Sequence, residues 1–340
     1  VKREMCDKGL PPCGEGVVAV VTGASGFIAS HIVAQLLGKG YTVHGTVRDL
    51  SNPAKTAHLK YLPGAAARLR LFEADLMTPG SFDSAVRGAD VVLHAATPLE
   101  AISGRSGASG QTEEGTYRPA VQGTRAVLDA CTRAGGSVKA FILTSSLSAT
   151  NPPTAPTVKT EAHYTDVEHA RARGNWYGAS KVVVERMVEA HCLEHGVRFA
   201  ILCPTMVYGP MLQPTVNVTM ELFVNILTNR VLHKIPDDAS SFIDVRDCAA
   251  QHVAAYEGGH SGRFLSLAES NHWATLSDWM HQAYPPFNVP PRAFSGAPSP
   301  PTAYDLTRMA SLGVVPRGQK ALIRDAVAHL VERRLIPPPT

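Results

Sequence analysis

No stretch of this sequence approaches the ~18 consecutive apolar residues that a membrane-crossing helix needs, so no membrane partner is expected. The first residues, Val1 to Gly16, are polar, contain Pro11-Pro12 and lack the apolar centre of a secretory signal; they read as a flexible leader. Cysteine is sparse and dispersed. Cys6, Cys13, Cys131, Cys192, Cys203 and Cys248 form no CxxC pair, which excludes zinc-ribbon spacing and a small disulfide framework and makes reduced thiols in a cytoplasmic protein the expectation. Excess charge is lacking too: a net charge of +3, without a dense Lys/Arg cluster or an aromatic and basic strip, excludes nucleic acid as the expected partner. What remains is an ordinary globular balance, 44% hydrophobic and 18% charged over 340 residues, enough for one large or two ordinary domains with a full core.

Val17-Val18-Ala19-Val20-Val21 is too apolar to have a wet face, as a central parallel strand should be. In Thr22-Gly23-Ala24-Ser25-Gly26-Phe27-Ile28-Ala29, small residues let the backbone turn tightly and approach a pyrophosphate, which the following helix receives at its N-terminus. That helix carries His31, Ile32, Leu36 and Leu37 at helical spacing, ends near Gly38-Lys39-Gly40, and gives way to a strand over Tyr41 to Val47. A glycine motif alone is weak; one lying between strand and helix in a βαβ unit signals a dinucleotide site. At the end of the second strand an acidic residue would grip a ribose 2′-hydroxyl, whereas an arginine accommodates a 2′-phosphate. The residue is Arg48, with Lys55 on the next segment, and this favours NADP(H); Asp49 argues for NAD, and the two cations can also simply decorate a loop.

Further inner strands are expected at Leu69 to Glu73, with Ala74-Asp75-Leu76 at its tip, and at Val91 to His94, ending in Ala95-Ala96-Thr97-Pro98. Small residues at the second tip let a flat adenosine lie close, and Asp75 can accept from its amino group or simply close a turn. Ser103 to Gly110 reads as a surface loop, Gly115 to Ala134 as a helix and Ala140 to Leu143 as a strand. A loop with Pro152, Pro153 and Pro156 follows, then a helix from Trp176 and a strand over Phe199 to Leu202. Met220 to Leu232 places Leu222, Phe223, Ile226 and Leu227 on one helical face and suggests an apolar pocket wall; only Arg230 and Lys234 could bind a sugar-nucleotide diphosphate there. Phe242 to Asp247 reads as a strand and helix start, Pro285 to Pro301 as a tether, and Ala321 to Leu335 as a closing helix. The predicted fold is α/β, a Rossmann-type doubly wound parallel sheet with a smaller C-terminal substrate-binding region. Its divisions are a leader at 1–16, an NADP-binding domain at 17–205 and a substrate region at 206–340, from which 242–257 returns to the first domain.

Asn175-Trp176-Tyr177-Gly178-Ala179-Ser180-Lys181 holds the chemistry. A tyrosine and a lysine four places apart on a helix project from one face. A neighbouring ammonium stabilises a phenolate, so Tyr177 is expected to titrate below the usual ~10 and to act as general acid or base. Thr144-Ser145-Ser146 ends the strand before it, and a hydroxyl at a C-terminal strand tip sits where open α/β sheets bind ligands, which makes Ser146 the oxyanion partner; serines there also serve as caps and turns. His191-Cys192-Leu193-Glu194-His195 fits the HxxEH zinc pattern, but its place at a helix C-terminus suits the dipole, and no metal is expected.

Taken in order, Val21-Thr22-Gly23 through Phe27-Ile28, Gly45-Thr46-Val47-Arg48-Asp49, Ala74-Asp75-Leu76, Ser81-Phe82-Asp83, His94 to Pro98, Thr144-Ser145-Ser146, Tyr177 with Lys181, and Pro204-Thr205 with Gly209-Pro210 carry a family resemblance. The chain resembles the extended short-chain dehydrogenase/reductases of the NAD-dependent epimerase/dehydratase superfamily, and within them the dihydroflavonol 4-reductase and cinnamoyl-CoA reductase group with its fungal aldehyde and ketone reductase relatives. The resemblance covers residues 17 to 257. It implies a catalytic Ser146, Tyr177 and Lys181, with Tyr177 and Lys181 also at the cofactor. It implies NADP contacts at Gly23, Ser25, Gly26, Phe27, Ile28, Arg48, Lys55, Asp75, Leu76, Ala95, Thr97, Pro204 and Val207. Asn151, Thr97 and Phe223 are the candidate substrate contacts. The Ser103–Gly110 tract, the proline loop after Asn151 and the tail beyond Ser266 depart from the group's pattern. The expected activity is NADPH-dependent reduction of a small hydrophobic or aromatic aldehyde or ketone by a cytoplasmic monomer or homodimer. The alternatives are a nucleotide-sugar epimerase or dehydratase or a hydroxysteroid dehydrogenase using the same trio, and, outside enzymes, an NADP-binding sensor.

Overall fold

Val18–Thr22 is an inner strand of a seven-stranded sheet, beside the middle strand Val91–His94. The order across the sheet is Gly262–Ser266, Arg198–Pro204, Ala140–Thr144, Val91–His94, Val18–Thr22, Thr42–Val47, Leu69–Glu73, and every neighbouring pair is parallel. This computed structural model describes residues 14–97 and 111–338; Cys6, Cys13, most of the leader, Pro98 and the Ser103–Gly110 tract lie outside the described residues.

The strands read as continuous apolar runs because both faces are covered. Ala19, Val21, Leu93, Ile142 and Leu202 face the helices Phe27–Gly38 and Val245–Glu257, where Ile32, Leu36, Leu37, Ala249 and Val253 meet them. Val20, Val92, Phe141, Leu143 and Ile201 face the helices Arg118–Arg133 and Trp176–Glu194 through Val127, Leu128, Val184 and Val188. From Val18–Thr22 the chain adds strands first toward one edge, through Thr42–Val47, and then toward the other, starting with Val91–His94. The direction reverses between Val18–Thr22 and Val91–His94, so the C-terminal ends of these two strands open a crevice of the kind in which doubly wound sheets bind ligands.

Beyond Pro204 a second core forms. Met206–Tyr208, Ala239–Asp244 and Glu269–His272 make a three-stranded sheet, covered by the helices Val218–Leu227, Trp273–Ala283 and Gln319–Glu332. Tyr208 stacks on Phe223 and meets Phe242 edge-on, both at 4.8 Å between ring centroids. The expected return of 242–257 divides accordingly: the helix Val245–Glu257 packs beside Phe27–Gly38, while its preceding strand belongs to the smaller sheet. The helix expected over Met220 to Leu232 spans Val218–Leu227 instead. Asn229 has φ 54°, and Arg230 N–H closes back on Asn225 O at 2.8 Å, the left-handed stop that an asparagine tolerates. Phe223 is 0% exposed in this core, so the expected wall residue is a packing residue instead. Phe223→Ala is expected to cost about 3–5 kcal/mol in urea unfolding monitored by circular dichroism; a loss below about 1 kcal/mol would show a core that collapses around the gap.

Candidate active site

The glycine turn follows the strand Val18–Thr22 directly. Gly23 has φ +63°, a left-handed conformation, and a Cβ there would lie 3.1 Å from Ala96. Two backbone bonds hold the turn, Ala24 N–H to Thr46 O and Gly26 N–H to Gly23 O, both at 2.8 Å. The helix Phe27–Gly38 begins at Gly26 with no side-chain cap and no acidic residue in its first turn. Uncapped N–H groups and the positive end of the helix dipole suit a phosphate. Behind the turn, Thr22 Oγ1 accepts from the N–H groups of both Ala95 and Ala96 at 3.1 Å and pairs with His94 Nδ1 at 2.8 Å. His94 Nε2 lies 3.1 Å from Thr124 Oγ1. Burial, reinforced by the Lys181 charge, pushes His94 down to about 3, so it is a neutral spacer that locks the two strand tips together.

Several of the remaining predicted cofactor residues follow C-terminal strand ends: Arg48 after Thr42–Val47, Asp75 and Leu76 after Leu69–Glu73, Ala95 and Thr97 after Val91–His94. Arg48 is exposed and Lys55 half-buried on the segment after Thr42–Val47. Asp75 accepts from Met77 N–H at 2.7 Å and holds a turn. Leu76 lies against Gly123, where a Cβ would approach it to 2.7 Å. Phe27 is buried, and Ser25, Ile28, Ala95 and Thr97 are half-buried. Pro204 ends its strand opposite Ser266, and Val207 sits in the smaller sheet, both near the join of the two regions. Half-open glycine turn, uncapped helix and small-residue tip form a cradle that a dinucleotide fits.

Three side chains converge beyond it. Ser146 follows the strand Ala140–Thr144, is 9% exposed, and accepts from Ser148 N–H at 3.1 Å, capping the turn Leu147–Thr150. Toward Tyr177 it is the polar neighbour whose hydrogen bonding favours the phenolate. Tyr177 lies in the first turn of Trp176–Glu194, which is capped by Asn175 Oδ1 accepting from Gly178 N–H at 3.0 Å. Lys181, 3% exposed, donates to Thr97 Oγ1 and to Thr144 O, each at 3.0 Å, and its ammonium lies 5.5 Å from the centre of the Tyr177 ring. The trio expected from the sequence is thus brought together across a strand tip and a helix, with Thr97 joining it.

Its electrostatics differ from the expectation. Burial pushes the Tyr177 phenol above its ordinary value, against the Ser146 hydrogen bond, which favours the phenolate. Burial also lowers Lys181 to about 8, although Glu185 and Cys203 pull upward. The ammonium therefore loses its proton before the phenol does, and a neutral amine gives a forming phenolate no Coulombic help. A phenol that stays protonated is the state a proton donor requires.

Asn151 is exposed and engaged elsewhere: its Oδ1 accepts from Lys159 Nζ, and its N–H donates to Thr165 Oγ1 at 2.9 Å. Gln111, absent from the sequence-based candidates, accepts the Tyr177 N–H at 2.9 Å and anchors the start of the helix. His191 and His195 stack with centroids 4.2 Å apart, and His195 Nδ1 pairs with His191 O. Among the described residues no group of three His, Cys, Asp or Glu is arranged to hold a metal ion.

Comparison with known proteins supplies a family. The model of the NAD dependent epimerase/dehydratase family matches residues 19–267. A cinnamoyl-CoA reductase of Medicago truncatula is 33% identical over 326 residues, covering 94% of this chain and 97% of the relative. A dihydroflavonol 4-reductase of Zea mays is 31% identical over 340 residues, covering 97% and 93%. Among solved structures, Gre2 of Candida albicans in complex with NADPH superimposes with a TM-score of 0.76 at 26% identity, covering 93% of this chain and 99% of that one.

Proposed function

Starting from the fact that this chain belongs to the NAD dependent epimerase/dehydratase family, beside relatives that are carbonyl reductases, we propose that Ser146, Tyr177 and Lys181 make it an NADPH-dependent reductase of hydrophobic or aromatic aldehydes and ketones. One observation carries the reading: the three side chains meet at the C-terminal edge of the sheet, next to the glycine turn. When bound, NADPH supplies the hydride that reduces the carbonyl carbon. Ser146 Oγ hydrogen-bonds the carbonyl oxygen and Tyr177 donates its phenolic proton to that oxygen as charge develops on it, giving the alcohol. Lys181, steadied by Thr97 and Thr144, is the residue that would hold the nicotinamide ribose beside the trio.

The pyrophosphate falls to Gly23, Ser25, Gly26, Phe27 and Ile28, the 2′-phosphate to Arg48 and Lys55, the adenosine side to Asp75, Leu76 and Ala95, and the nicotinamide side to Pro204 and Val207. Thr97, bonded to Lys181, faces the substrate, whereas Asn151 is held by Lys159 and Thr165 and takes no part in the reading. The protein acts in the cytoplasm as a monomer or homodimer; among the described residues no helix is long and apolar enough to cross a membrane. The test is loss of NADPH absorbance with a panel of aromatic and aliphatic aldehydes, ketones and dihydroflavonols, with NADH run in parallel. Comparable rates with the two coenzymes would overturn the roles of Arg48 and Lys55. Arg48→Ser removes a charge-assisted phosphate contact, so the KM for NADPH should rise roughly 10- to 100-fold while that for NADH stays put.

A further inference from the structure

One turn beyond Lys181, on the same face of its helix, Glu185 is 1% exposed, and no cofactor or substrate role reaches it. Its Oε2 lies 2.8 Å from Arg263 Nε, and its Oε1 accepts from Ser145 Oγ, the hydroxyl next to Ser146. Arg263, itself buried, is secured from the other side: Nη1 donates to His163 O at 2.8 Å and to Glu161 O, Nη2 to Ala149 O at 3.3 Å, and the guanidinium lies 3.8 Å from the centre of the Tyr164 ring. A buried ion pair is a poor source of stability, because desolvation offsets its attraction, so one held by this many contacts behind a reactive centre asks for another reason.

We propose that Glu185 is a positioning residue for the reduction: paired with Arg263, its carboxylate holds the strand tip that carries Ser146 and provides the anion that keeps Lys181 an ammonium. This rests on the catalytic assignment of the trio.

The groups facing Lys181 support the choice. They are Tyr177 and Glu185 on its own helix, Cys203 on the strand Arg198–Pro204, and His94 at the tip of Val91–His94, with Thr97 and the Thr144 carbonyl as uncharged partners. Burial holds the Cys203 thiol well above its ordinary value and His94 is neutral, so neither carries charge at neutral pH. Tyr177 is a neutral phenol there as well. Glu185 is the anion that remains. Burial pushes its carboxyl up, and the Arg263 guanidinium pulls it back. A guanidinium does not lose its proton, so a neutral Glu185 would strand a buried cation; the pair is ionic.

The sign follows. Lys181 is charged below about 8 and loses its charge as pH rises through that value, so reduction should fall along an alkaline limb there. Without the Glu185 charge that limb should move down. Glu185→Gln keeps the size and a polar partner for Ser145 but leaves Arg263 unpaired, so Glu185→Gln/Arg263→Gln is made alongside it as a neutral pair more able to fold. Two readouts are taken on each: the pH profile of kcat/KM, and the titration of Lys181 by its Cε resonance in 13C-lysine-labelled protein, assigned with Lys181→Met. The expected result is a midpoint about one pH unit lower in both readouts for both variants, with roughly tenfold lower kcat/KM above pH 8 and a smaller loss at pH 6. A Lys181 midpoint that stays in place, with activity lower by one factor at every pH, would overturn the inference and leave Glu185 a structural residue. A midpoint that moves in the resonance while wild-type rates show no such limb would instead overturn the catalytic role of Lys181 and keep the Glu185 inference.

Discussion

Tyr177→Phe is expected to lower kcat for carbonyl reduction by at least about 10³-fold, within the range that a positioned general acid supplies, while NADPH affinity measured by quenching of protein fluorescence stays within about twofold because the ring is kept. The expectation follows from what the hydroxyl touches. Burial raises its pKa, against the Ser146 influence that favours the phenolate, so it holds a proton throughout the neutral range. Phenylalanine keeps the ring beside the Lys181 ammonium, and with it the local packing. What disappears is the proton, and with it the group that neutralises the developing alkoxide. Ser146 alone can stabilise that charge by a hydrogen bond but is far too weak an acid to discharge it. Turnover within tenfold of the wild type would remove Tyr177 from the mechanism and leave the trio without its acid.

Lys181→Met should be nearly as severe, with kcat reduced roughly 10²- to 10³-fold and the Kd for NADPH raised about tenfold, since both a positioned charge and a cofactor contact are lost. Methionine is unbranched, one heavy atom shorter than lysine, and tolerates burial, so the helix should pack as before. Thr97 Oγ1 and Thr144 O each lose a donor at 3.0 Å. Lys181→Arg is the informative partner. It keeps a cation, but a planar five-donor fork does not fit a point contact shared by one hydroxyl and one carbonyl, so it should recover binding more than turnover. Equilibrium binding by fluorescence and steady-state kinetics separate the two effects. A normal kcat in Lys181→Met would show that the ammonium plays no part in positioning the reactants.

The first strand, the glycine turn and its helix were legible in the sequence because they depend on neighbours in the chain. A strand covered on both faces is apolar throughout, and a turn that brings backbone to a phosphate needs small residues within a few positions; Val18–Thr22 and Gly23 meet those demands locally. The Tyr177–Lys181 spacing was legible for the same reason, since a helix converts four residues into one turn. Strand Gly262–Ser266 was not, because it begins with glycine and carries a charged arginine inward, which makes sense only when Glu185 lies opposite. Phe223 was misjudged for a related reason: helical spacing shows that a face is apolar, but whether it borders a cavity or a packed core depends on Tyr208 and Phe242, which lie far from it in other elements.

The sequence by itself determined the α/β alternation, the glycine turn and the Tyr177–Lys181 pair on one helical face, since each is written in short-range spacing that backbone geometry turns directly into position. The tertiary structure alone decided how those side chains are charged. It buries Lys181 beside Glu185, sets its proton loss near neutrality at about 8, and leaves the Tyr177 phenol protonated. Desolvation and Coulomb interactions depend on distances through space, and no spacing along the chain encodes them.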